Sequence, residues 1–114
     1  MKSEEYYEQV ATVEYVKLRY PTVLFCASAG GMRTNIRTAV KMKRMGYIKG
    51  MPDLFFYEPR RGLYGLAIEM KSKIGSPSLE QKAWKLQLEM RGYKSEICHG
   101  FIEAKKVIDD YFKS

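Results

Sequence analysis

Two apolar runs joined by a short turn constrain this chain most. Residues 53–57 place Asp53 ahead of Leu54, Phe55, Phe56 and Tyr57, and residues 64–71 return through Leu66, Ala67, Ile68, Glu69, Met70 and Lys71. β-branched, aromatic and aliphatic residues bounded by Pro52 on one side and the Glu58–Gly62 turn on the other predict an antiparallel hairpin. Strand side chains alternate between faces, so Leu66, Ile68 and Met70 point one way and Glu69 and Lys71 the other. A hairpin this apolar needs cover, and the flanking segments are patterned to give it.

Residues 4–19 carry Tyr6, Tyr7, Val10, Val13, Tyr15 and Val16 at helical spacing before Pro21 stops the run. Residues 22–27 read as a short strand, and the Gly30-Gly31 pair marks a loop. Residues 34–45 form a basic helix closed by Gly46. Ser78 and Gln81, three apart, fit a capping box for a helix that runs to about residue 91 and ends at Gly92. Residues 93–98 read as a strand and 101–112 as a terminal helix. The order is helix, strand, helix, hairpin, helix, strand, helix. It predicts one α/β domain over residues 1–114, a mixed β-sheet with flanking helices.

Charge is uneven along the chain. Residues 15–52 contain no acid but hold Lys17, Arg19, Arg33, Arg37, Lys41, Lys43, Arg44 and Lys49, a sum of +8 within a net +7. Such a field attracts a polyanion, and nucleic acid is the natural candidate. Gly30 and Gly31 can present backbone N–H groups to a phosphate, with Arg33 beside them. Arg37, Lys41 and Arg44 fall three to four apart on one helical face, and Lys49 leads into Asp53. Two cysteines 72 positions apart make neither a disulfide framework nor a CxxC metal knuckle. No apolar run reaches the ~18 residues of a membrane span. The acidic start of the chain is unlike a signal peptide, so a cytosolic, reducing location is expected.

The hairpin can bring Asp53 next to Glu69. Two carboxylates and the Met70 carbonyl are hard oxygen donors suited to Mg²⁺ or Mn²⁺. Lys71, on the Glu69 face, can orient a water or stabilise charge on a phosphate. The plainer alternative is a turn aspartate after proline and a solvated strand face with a weak ion pair. Glu14 and Gln81 are further polar groups on flanking helices.

Gly30-Gly31-x-Arg33, Gly46-x-x-Lys49-Gly50-x-Pro52-Asp53-Leu54, Gly65-Leu66-x-Ile68-Glu69-Met70-Lys71 and Pro77 to Gln81 continuing to Trp84 and Leu88 together resemble the VRR-NUC family of the PD-(D/E)XK nuclease superfamily, in particular its small stand-alone phage or bacterial members. The resemblance implies a restriction-endonuclease-like core and metal-dependent cleavage of DNA phosphodiesters. It aligns Asp53 and Glu69 with the metal carboxylates, Lys71 with the catalytic lysine, Gln81 with a helix glutamine near the active site and Glu14 with an additional acid of the first helix. It implies a homodimer cutting branched DNA such as four-way junctions, in a bacterial or phage-infected cell. A non-catalytic DNA-binding protein that keeps the fold is the alternative. Many relatives carry a His and a Pro-Asn before the double glycine, where this chain has Phe25-Cys26-Ala27-Ser28.

Among the remaining residues, His99 reads as structural, Cys26 and Cys98 as buried thiols, Arg60 and Arg61 as solvated, and Trp84 as a core residue that could alternatively stack on a base. The tyrosines of the terminal helices suit a core or a subunit interface.

Overall fold

In the computed structural model, residues 3–28 and 35–113 are described. The elements are α1 (Ser3–Arg19), β1 (Phe25–Ala27), α2 (Ile36–Arg44), β2 (Leu54–Phe56), β3 (Leu66–Lys71), α3 (Leu79–Met90), β4 (Lys94–His99) and α4 (Phe101–Phe112). The expected order of elements is therefore present. The four strands form one mixed sheet in the order β1-β2-β3-β4. β2 is antiparallel to both β1 and β3, whereas β4, reached through the α3 crossover, runs parallel to β3. This is a mixed α/β fold of restriction-endonuclease-like architecture. No helix among the described residues is long and apolar enough to cross a membrane.

The β2–β3 register pairs Leu54 with Ile68 and Phe56 with Leu66. These four side chains are fully buried with Met70, Cys98, Val16 and the Ala104, Ile108 and Tyr111 stripe of α4. The 3.6-residue spacing of that α4 stripe meets the two-residue period of β3 across a single core. α1 and α4 pack on each other and both touch β3, while α3 packs on β4. Side chains also join the two ends of the chain. Tyr15 and Tyr20 both donate to Asp109 Oδ1, and Glu8 Oε1 accepts the Phe101 N–H at 2.8 Å. The second contact caps a helix whose own cap residue, Gly100, has no side chain to do it.

Several expectations need correction. Cys26 is exposed, because β1 is a three-residue edge strand, while Cys98 is buried as expected. Arg61 is not simply solvated: its guanidinium donates to Asp110 O and Lys113 O, satisfying carbonyls at the end of α4. Trp84 stands outside the core cluster and is only half-buried. His99 is structural, with Nε2 2.9 Å from Gly75 O and its backbone N–H donating to Glu103. Tyr15, Tyr20 and Tyr111 make contacts within the chain, whereas Tyr6 and Tyr7 are exposed.

Candidate active site

The site begins with strand register. Asp53 lies one residue before β2 and Glu69 one residue beyond its paired segment of β3, so the Leu54–Ile68 pairing sets the two acids side by side. Asp53 is buried behind Pro52, and its Oδ2 accepts the Met70 N–H at 2.7 Å. In an extended strand one residue directs its N–H and C=O to the same side. The Met70 carbonyl is therefore directed toward the Asp53 side while its side chain lies in the core.

Glu69 is 8% exposed, and its Oε1 is buried without a hydrogen-bond partner. Burial, then the adjacent Asp53, push its carboxyl up to about 9; Lys71 opposes the shift and Glu5 adds to it. An orphaned, buried carboxylate oxygen is costly unless a proton or a cation accompanies it. The donor set of Asp53, Glu69 and the Met70 carbonyl fits a hard divalent cation by chemistry. Among the described residues, however, no group of three or more His, Cys, Asp or Glu side chains converges on one point.

Asp53, Glu69 and Lys71 line a cavity of about 170 Å³ together with Glu5, Lys49 and Gln81. Gln81 reaches it from the first turn of α3, where the expected capping box is complete: Gln81 N–H donates to Ser78 Oγ at 3.1 Å and Ser78 N–H to Gln81 Oε1 at 2.8 Å. Lys49 arrives on a turn pressed against that helix. Gly50 has φ +94°, and a Cβ there would stand 2.7 Å from the Glu80 backbone, so only glycine permits this approach.

The acid that α1 contributes is Glu5, and Glu14 is exposed elsewhere on the helix. Glu5 precedes the buried Thr12 and Val16 by seven and eleven residues, about two and three turns, and so lies on their face. That spacing was the signal available for choosing it. Arg37, Lys41 and Arg44 are exposed on α2, which buries none of its residues. Gly30, Gly31 and Arg33 lie outside the described residues.

The family profile described as the VRR-NUC domain matches residues 3–102. The chain belongs to the VRR-NUC family. This VRR-NUC chain is also similar to solved structures. One, titled "VRR_NUC domain protein", superposes with a TM-score of 0.81 at 25% identity, covering 96% of this chain and 88% of that one. Another, titled "VRR_NUC domain", has a TM-score of 0.58 at 19% identity, covering 92% and 98%, and shows a shared fold. No curated protein sequence matches the chain. Membership places it among the PD-(D/E)XK-like nucleases, a DNA-acting class whose chemistry calls for a metal.

Proposed function

We propose that this VRR-NUC chain is a Mg²⁺- or Mn²⁺-dependent endonuclease that hydrolyses DNA phosphodiester bonds in branched DNA such as four-way junctions, acting as a homodimer. The observation that carries the reading is the buried Asp53–Glu69 pair with its orphaned Glu69 oxygen, opening on a cavity that also holds Lys71. Asp53, Glu69 and the Met70 carbonyl would hold the cation, with Glu5 the acid that α1 offers to the same cavity. A divalent ion bound there supplies positive charge to a phosphoryl oxygen and lowers the pKa of a coordinated water.

The chain's own groups do the rest. Lys71 presents an ammonium beside Glu69, where it orients a nucleophilic water and offsets charge gathering on phosphorus. Gln81 is held by the capping box, so its side chain has a fixed approach to the cavity. Lys49 and the exposed cations of α2 steer and hold the phosphate backbone.

The deciding assay compares duplex, flap, fork and four-way DNA with Mg²⁺ and with chelator. Cleavage of the four-way junction that disappears with chelator is expected. Salt-sensitive binding with no cut under any condition would instead identify a non-catalytic DNA-binding protein. A combined change of Arg37, Lys41 and Arg44 to Ala should weaken duplex binding and flatten its dependence on salt by about 2.7 log units per log unit, at about 0.9 for each lost phosphate contact. An unchanged slope would move the DNA to another face.

The dimer is supported by apolar side chains left in solvent, including Tyr6, Tyr7 and Leu18 on α1 and Ile36 and Val40 on α2. Two-fold symmetry would supply the paired cuts that a four-way junction requires. Sedimentation equilibrium without DNA should give twice the 13.3 kDa chain mass, and a mass equal to one chain would reject the dimer.

A further inference from the structure

A second cavity, of about 440 Å³, lies between Ile48-Lys49 and α3 and shares Lys49 with the carboxylate cavity. Ile48, Trp84 and Leu88 give it apolar walls, and Lys49, Arg91 and Glu80 supply its charged groups. Lys49 lines both cavities, and the first turns of α3 form a wall of each, through Ser78 and Gln81 on one side and Glu80 and Trp84 on the other. We infer that this cavity receives an unpaired nucleobase of the DNA strand whose backbone lies at the carboxylate site, with Trp84 as its stacking surface.

The indole explains the choice of ligand. Trp84 Nε1 donates to Lys49 O at 3.1 Å, which satisfies its one polar group and holds the ring in place. An anchored indole in an apolar wall is a platform for another flat ring, and stacking of this kind accepts any base. The volume falls within the range of about 300–1,000 Å³ typical of sites for small organic groups. Lys49 and Arg91 match the phosphates on either side of such a base, and Glu80 offers an acceptor to a base amino group. Unpaired bases occur in the single strand of a flap or fork and at frayed ends, and are absent from intact duplex, so the pocket would favour such branched substrates over plain helix.

This inference rests on the proposed DNA-cutting function, and its test is made without metal so that the two can fail separately. Trp84 is the only tryptophan in the chain, so intrinsic fluorescence reports on it alone. In EDTA, a short oligodeoxythymidine should quench that fluorescence. An abasic strand of equal length and charge should bind without quenching. Trp84→Ala should weaken binding of the oligodeoxythymidine about 5- to 150-fold, and Trp84→Phe, which keeps a ring, should stay within about tenfold of the parent. Neither change should alter affinity for the abasic strand.

Equal quenching by both strands, or by neither, would overturn the pocket even if Trp84→Ala failed to fold. A signal that changed with protein concentration alone and not with oligodeoxythymidine would also overturn it, and would identify a second copy of the chain as the occupant. Base-dependent quenching in a protein that never cuts with Mg²⁺ would leave the pocket standing and remove the nuclease reading. Cutting by a protein whose tryptophan ignores bases would do the reverse.

Discussion

Replacing Glu69 with glutamine should reduce cleavage by about 10³-fold or more, since several kcal/mol of charge stabilisation at the phosphate are lost with the carboxylate. The same change should remove a pH-dependent weakness of the metal-free fold. The Glu69 carboxyl is raised from 4.5 to about 9, first by burial and then by Asp53. Between those values the folded chain binds more protons than the unfolded chain, so stability falls as pH rises. The contribution is fully present below about 4.5 and is lost as pH climbs through about 9. Glu69→Gln has no proton to lose there, and its amide can donate to Asp53. Thermal unfolding in EDTA across this window should give a falling midpoint for the parent and a flatter one for the variant. Added Mg²⁺ should flatten the parent, because a cation takes over the proton's role. Parallel profiles for parent and variant would show that Glu69 is not the group responsible.

Lys71→Ala should lower single-turnover cleavage by about 10²–10³-fold at saturating Mg²⁺, the cost of removing one preorganised donor from a site of developing charge. DNA affinity should change little, because the α2 cations and Lys49 remain. Lys71→Arg should not restore full activity, since a planar guanidinium does not occupy the position of a compact ammonium. Near-normal cleavage by Lys71→Ala would remove its assigned role.

Local physics made much of this legible. Alternation in the 66–71 strand separates Met70 from Glu69 and Lys71, and the structure keeps that separation. The Ser78–Gln81 capping box and the bounds of α4 are as read. What escaped depends on tertiary placement. On α1 the family resemblance points to Glu14, but Glu14 lies two residues from both buried Thr12 and Val16, on the opposite face of the helix, and the cavity takes Glu5, which shares their face. The apolar run over 22–27 reads as a short strand, but residues 21 and 22 form a turn and β1 keeps only Phe25–Ala27, at an edge of the sheet. Arg61 and Trp84 make bonds across 52 and 35 residues, which no local pattern encodes.

The first and last helices support each other, and this bears on when the proposed activity would arise. Glu8 caps α4, Asp109 gathers Tyr15 and Tyr20, and Glu5 on the same α1 reaches the carboxylate cavity. Much of the seat of the first helix is therefore supplied by the last one, with β3 supplying the rest. During synthesis, Asp53, Glu69 and Lys71 emerge well before α4, and a chain without α4 lacks the Asp109 and Phe101 contacts that help to hold α1 and its acid. On the proposed nuclease reading, the cutting centre would be complete only once α4 has left the ribosome, and chains still lacking α4 would be poor cutters of DNA.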